Sequence, residues 1–289
     1  MKRVILGAAL AVALLSGGAL AQEKATFVFT AIPDQDETRL VEKFTRVAEY
    51  LQGKLGVPVK YLPVKSYPAS VTAFTNNQVQ LAWFGGFTGV QARREVPDSE
   101  AIAQGAEDVA FKSLVIVNKQ TGLQPTKDFP KEIAGKSFTF GARASTSGRL
   151  MPEYFIRQGF GGRNPEEIFS RVGFSGDHSR TIQLVQSGAY EVGVLDYTVW
   201  ELDNKAGKVD PSQVSVIWET PTFQDYQWTV RGDVDKTFGA GFKEKLRAIL
   251  IGIEDPQILA LFGRSKFIPA KNSDYKAIEE VAKASNLLN

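Results

Sequence analysis

The sequence predicts an α/β fold of two lobes, and three observations carry that prediction. Short apolar strands alternate with helical patterns along most of the chain. Two blocks with this plan align at a constant offset of 111 residues, Phe27 falling on Phe138, Phe29 on Phe140, Val71 on Ile182, Phe74 on Val185 and Leu81 on Val192. Beyond an exported leader, 268 residues remain, enough for one large core or two smaller ones.

Residues 1–21 read as a secretory signal. Lys2 and Arg3 supply the charged start, Ile5 to Leu15 the apolar run, and Ala19-Leu20-Ala21 the small-x-small cleavage site. The run is too short to span a bilayer. The mature chain is therefore expected to start at Gln22, in the periplasm and without a membrane anchor.

In the first block, Thr26–Thr30 reads as a strand. Asp34 opens a helix with Glu37 three residues on, and Leu40, Val41, Phe44, Val47, Ala48 and Leu51 follow at helical spacing. Val57–Val64, Tyr67–Phe74 and Val79–Phe84 read as strand, helix and strand, the last ending at Gly85-Gly86. The second block repeats the plan. Ser137–Gly141 is a strand, Ser147–Gln158 a helix, Ile168–Phe174 a strand, Arg180–Ser187 a helix and Glu191–Leu195 a strand. Leu114–Asn118 and Val214–Thr220 are extended apolar segments suited to carrying the chain between lobes. Tyr226–Val230 reads as a further strand. Helices over Lys243–Ile253, from Asp255-Pro256 and over Asp274–Ala284 finish the chain. The expected division is 22–117 with 222–289 as lobe 1, and 118–221 inserted as lobe 2.

Composition excludes several functions. With no cysteine, disulfides, thiolate metal sites and Cys nucleophiles are ruled out, and one histidine cannot build a His cluster. Without Lys2 and Arg3 the chain carries 32 basic against 32 acidic residues, and no basic tract supports nucleic-acid binding.

The most informative stretch runs from Phe138 to Gly148. A short strand is followed by a turn and then by Ser145-Thr146-Ser147-Gly148, where a helix begins. Backbone N–H groups, hydroxyls and a helix dipole converge there, an anion cradle with no permanent cation. A micromolar site needs about −8 kcal/mol net, within reach of four or five charge-assisted bonds of roughly 1.5–3 kcal/mol each after desolvation. A plain cap needs fewer hydroxyls. The matching helix start carries Asp34, Gln35 and Asp36, so the anion belongs at the second one.

Other candidates face the same cleft through the repeat, since Tyr67 falls on His178 and Gly85 on Asp196. His178, at a turn before a helix, can donate to an anion. Tyr67 offers a hydroxyl, and Trp83 an indole N–H or a packing face. Asp196 could accept a proton from a protonated oxyanion or pair with an amine, and Arg143 could add positive charge. Lys65 and Arg180 are weaker candidates. A Ser-His-Asp hydrolase lacks its Gly-x-Ser-x-Gly elbow.

From Thr26 to the C-terminal helices the chain resembles the phosphonate/phosphite-binding (PhnD-like) periplasmic components of bacterial ABC importers. Ser145-Thr146-Ser147-Gly148 is similar to that family's oxyanion loop. Ser66-Tyr67, Trp83-Phe84-Gly85-Gly86, Gly176-x-His178 and Asp196 fall where the family contacts ligand. Phe29 to Glu37 and Leu81 to Gly86 resemble most a selenate-binding branch. The resemblance implies a type II periplasmic-binding fold with a two-strand hinge and a monomer that closes on a small oxyanion. It also implies delivery to an ABC permease, with no cofactor and no bond chemistry. Trp83, where the family often has tyrosine, favours a small inorganic oxyanion such as selenate or phosphite over an aminoalkyl phosphonate. The rival readings are an exported binding protein feeding a sensor or chemoreceptor, and an exported hydrolase.

Overall fold

The computed structural model describes residues 24–288. The expected signal segment and its cleavage site lie outside them. Two mixed sheets, each flanked by helices, organise the chain. The first carries β1 (Phe27–Ala31), β2 (Val59–Tyr61), β3 (Leu81–Phe84), β4 (Glu100–Gly105), β10 (Gln227–Val230) and β11 (Phe267–Pro269), in the order β2-β1-β3-β10-β4-β11. The second carries β5 (Ser113–Asn118), β6 (Ser137–Phe140), β7 (Arg171–Phe174), β8 (Val192–Asp196) and β9 (Val214–Glu219), in the order β7-β6-β8-β5-β9.

The orders are equivalent. In each sheet three parallel strands run second-first-third, and an antiparallel strand follows, β10 beside β3 in one and β5 beside β8 in the other. These antiparallel strands are the ones by which the chain enters each sheet from the opposite lobe. Both segments expected to run between lobes, around Leu114–Asn118 and Val214–Thr220, are thus members of the second sheet as β5 and β9. The chain crosses instead within 106–112 and 220–226, where Phe111 and Phe223 form an isolated antiparallel bridge.

The helices are α1 (Glu37–Leu55), α2 (Tyr67–Thr75), α3 (Gly86–Glu95), α4 (Met151–Gly159), α5 (Pro165–Ile168), α6 (His178–Gln186), α7 (Tyr197–Lys205), α8 (Val234–Phe238), α9 (Phe242–Ile251), α10 (Pro256–Phe262) and α11 (Lys276–Ala284). The offset of 111 survives in them, since α2 maps onto α6 at both ends and the starts of β3 and α3 map onto those of β8 and α7. β4, β11 and helices α3, α5, α7 and α8 were not expected. β4 reads Glu-Ala-Ile-Ala-Gln-Gly, with little β-branched content, and owes its state to ladders with β10 and β11.

α1 buries Leu40, Lys43, Phe44, Val47, Ala48, Leu51 and Leu55 on one face. Its cap is Asp36, whose carboxylate accepts from Arg39 N at 3.2 Å, rather than the expected Asp34. That frees Asp34, which is buried at the lobe junction. An aromatic cluster of Phe29, Phe44, Trp83, Tyr226, Trp228, Phe262 and Phe267 fills the first lobe behind the junction. The second sheet has a core on each face, one around Phe138, Phe140 and Phe169 and one around Ile116, Ile182 and Leu195.

Candidate functional site

The loop after β6 is built by one proline. Pro152 has no N–H to give to the carbonyl four residues back, that of Gly148, and its ring crowds that turn. The helix therefore starts with a wide turn over Thr146–Leu150, in which Met151 N bonds Thr146 O and Leu150 N bonds Ser145 O at 3.0 Å. The Gly148 carbonyl accepts instead from Gly141 N at 2.7 Å, stitching the loop shut. Only glycines allow this approach. A Cβ on Gly148 would lie 2.9 Å from Ser145 Oγ, 3.0 Å from His178 Cε1 and 3.1 Å from Gly141 Cα.

Ser145, Thr146 and Ser147 are 3%, 1% and 1% exposed. Ser145 Oγ accepts from Gly148 N at 2.8 Å, so it caps the turn and keeps its own proton to donate. Thr146 Oγ1 accepts from Phe87 N at 2.9 Å, a bond from the first lobe to the second. Ser147 is fixed through its carbonyl, which accepts from Ser113 Oγ at 2.7 Å. The leading N–H groups of such a turn have no carbonyl within the helix to bond.

His178 and Tyr67 occupy the first positions of α6 and α2, equivalent positions in the repeat. His178 N donates to Asp34 O at 2.9 Å, again joining the lobes. Its Nδ1 accepts from Asp196 N at 3.3 Å, so the neutral ring carries its proton on Nε2. Nε2 is buried without a hydrogen-bond partner. The Tyr67 hydroxyl, beside Ser145, is likewise buried and unpartnered. Burial pushes its titration well above the ordinary tyrosine range, so it remains a donor. Two orphan donors thus converge on the Ser-Thr-Ser turn.

A further buried carboxylate was missed from sequence. Asp225, in the returning crossover, accepts from Gly86 N through Oδ1 at 2.9 Å, while Oδ2 is buried and unpartnered. Burial pushes Asp225 up to about 7; the hydrogen bond from Gly86 opposes the rise, and the negative charge of Asp196 adds to it. Asp34 is also raised, chiefly by burial, with Lys43 opposing. Lys43, buried on α1 over the Phe262 ring at 4.9 Å, is pushed down to about 8 by the same loss of water. The lobe junction therefore gathers side-chain donors beside carboxyl groups whose burial raises their titration.

Several expected residues take other roles. Asp196 caps α7, its Oδ1 accepting from Thr198 N, Thr198 Oγ1 and Val199 N, while Oδ2 accepts from Tyr226 Oη at 2.9 Å. Both oxygens are engaged, so Asp196 fastens the lobes and orients His178 rather than offering a free acceptor. Trp83 stacks on Tyr226 at 5.4 Å within the aromatic cluster, which makes it a packing residue behind the junction. Arg143 is exposed, its guanidinium 3.8 Å from the Phe174 ring, outside the chamber. Lys65 pairs with Glu37 at 2.5 Å and Arg180 bonds Gln183 at 3.0 Å, both at a cavity of about 360 Å³ along the cleft mouth. Gln35 and Ser179 line that cavity too, each with a buried unpartnered oxygen. The signal that could have found Asp225 is its place two residues before the strand re-entering the first lobe. That place is visible only once the crossing is known.

A family profile described as "ABC transporter, phosphonate, periplasmic substrate-binding protein" matches residues 29–275. The chain is 40% identical over 263 residues to "Probable ABC transporter phosphite binding protein PhnD1" of Prochlorococcus marinus, covering 89% of this chain and 88% of that one. It is 24% identical over 212 residues to the "Phosphonates-binding periplasmic protein" of Escherichia coli, covering 72% and 61%. Its fold superposes on the structure of Prochlorococcus marinus PhnD1 in complex with methylphosphonate with a TM-score of 0.87 at 39% identity, over 91% of this chain and 99% of the other. A binding-protein component of a Pseudomonas aeruginosa ABC phosphonate transporter shares the fold at a TM-score of 0.78 and 20% identity, over 91% and 87%.

Proposed function

This chain belongs to the periplasmic phosphonate-binding family of ABC-transporter substrate-binding proteins, and on that premise we propose that it captures a phosphorus oxyanion carrying a proton. Phosphite and small alkylphosphonates such as methylphosphonate are the ligands meant. It is a binding protein and not an enzyme, and the partners its family implies are a small ligand and a permease.

One observation carries the choice of ligand. Two orphan donors, His178 Nε2–H and the Tyr67 hydroxyl, and an orphan acid oxygen, Asp225 Oδ2, are buried where the lobes meet. The donors suit bare anionic oxygens. Asp225 suits an oxygen that shares a proton, because two charged oxygens in contact cannot both stay ionised. Selenate and sulfate carry no proton near neutral pH. Phosphite and phosphonates do, and the 40% identical relative bears a phosphite-binding name.

Binding needs no bond chemistry. Ser145, Thr146, Ser147 and His178 come from the second lobe and Tyr67 from the first, so an anion held by both sets draws the lobes together. The proposed contacts come from a single chain, which supports a monomer as the working unit. Cleavage after Ala21 would release it into the periplasm.

Calorimetric titration with phosphite, methylphosphonate, phosphate, selenate and sulfate tests this reading. Phosphite or methylphosphonate is expected to bind at least about tenfold tighter than selenate and sulfate, a difference of about 1.4 kcal/mol. Equal or tighter binding of selenate overturns it.

A further inference from the structure

One buried charge pair lies outside the chamber and joins the lobes. Arg39, in the first turn of α1, places Nη1 2.6 Å from Asp203 Oδ1 on α7. The Asp203 side chain is only 2% exposed and that of Arg39 18%. The same helix touches the first lobe once more, at the end of α10. A Cβ built on Gly263 would sit 3.6 Å from Thr198 Cβ and 3.8 Å from Leu202 Cδ1. α7 is thus seated on the first lobe along its length, with Asp196 at its cap and Asp203 two turns on.

We propose that Arg39 and Asp203 form a latch that sets how stable the closed lobes are, acting as positioning residues rather than as ligand contacts. The proposal rests on the reading that this protein closes on an oxyanion. Parting the lobes separates α1 from α7 and returns both charges to water. In the closed form the Asp203 carboxylate is nearly dry, and the Arg39 guanidinium is the cation that matches it. Truncating Arg39 leaves a buried, unmatched charge in the closed form alone, and such a charge is strongly unfavourable. The penalty therefore falls on one side of the open–closed equilibrium.

The latch reaches the chamber through α7. Asp196 N, at the cap of that helix, holds His178 Nδ1 and so sets the ring's orientation. Asp196 Oδ2 receives Tyr226 Oη from the first lobe. Closing α7 onto α1 completes the Tyr226 bond, whereas the bond to His178 lies within the second lobe. Because neither latch residue is part of the chamber, the latch cannot discriminate among ligands. It scales every affinity by the fraction of protein in the competent form.

The test uses the full mature protein with phosphite and methylphosphonate, followed by calorimetry and stopped-flow kinetics. Arg39→Ala is expected to weaken both ligands by the same factor, about tenfold or more, through faster dissociation with little change in association. Arg39→Lys should restore part of the loss. The double variant Arg39→Met with Asp203→Leu should restore most of it, since no buried charge is then left unmatched. A merely structural role would lower the melting temperature without this shared factor and without rescue by the neutral pair. Unchanged affinity in Arg39→Ala, or a loss that falls on one ligand and spares the other, overturns the latch. Wild-type protein that binds neither anion overturns the functional reading instead.

Discussion

Ser145 shows how one side chain can fill two roles that the sequence left open as rivals. Its oxygen caps the turn by accepting from Gly148 N, and its proton stays free for an anion. Ser145→Ala together with Ser147→Ala should therefore weaken oxyanion binding at least about tenfold, since charge-assisted bonds contribute roughly 1.5–3 kcal/mol each. Unchanged affinity by calorimetry would remove this loop from the site. Asp225 is legible only through its partners. Its folded value of about 7 lies above the ordinary 3.8, so the folded protein binds this proton more tightly than the unfolded chain does. The stabilisation it gives is full below pH 3.8 and is lost as pH rises through about 7. Asp225→Asn should abolish that loss. In thermal melts of ligand-free protein from pH 5 to 8, wild type should fall a few degrees against the variant as pH climbs; parallel curves would count against a raised Asp225.

Among the elements, the turn before α4 matters most. Sequence reading foresaw a strand, a hydroxyl-rich turn and a helix there, because local chemistry dictates them. It placed the helix start at Ser147, whereas Pro152 widens the first turn and hands the Gly148 carbonyl to Gly141. Gly148→Ala tests how tightly this turn is built, because its Cβ would press on Ser145, His178 and Gly141 together. The variant should lose at least about tenfold in oxyanion affinity while its far-ultraviolet dichroism stays that of wild type. Binding at wild-type strength would show that the cradle tolerates a shift of its backbone. α1 was equally legible from its apolar spacing, but its cap was misplaced by two residues. Asp36 caps the helix because Asp34 is held at the junction, where its carbonyl receives His178 N.

For the whole molecule, the repeat of 111 residues proved to be a repeat of topology, with equivalent strand orders in both sheets. In the proposed closure the two equivalent helix starts, at Tyr67 and His178, would meet on one anion. Addition of phosphite should reduce the radius of gyration in small-angle scattering. It should also change tryptophan emission, because Trp83 stacks on Tyr226, whose hydroxyl bonds Asp196 across the lobes. Scattering and emission that stay constant at saturating ligand would contradict closure.

The amino-acid sequence by itself determined the α/β alternation, the two-lobed repeat and the hydroxyl-rich turn, since periodicity, capping and glycine placement act over a few neighbouring residues. The tertiary structure decided that β5 and β9 join the second sheet and that Asp225 is buried with one oxygen unpartnered. It also decided that Asp196 is engaged on both oxygens, that Trp83 packs in the core and that Arg143 lies outside. Each of those outcomes depends on burial and on partners far along the chain, and a carboxylate or an indole has the same local propensities wherever the fold carries it.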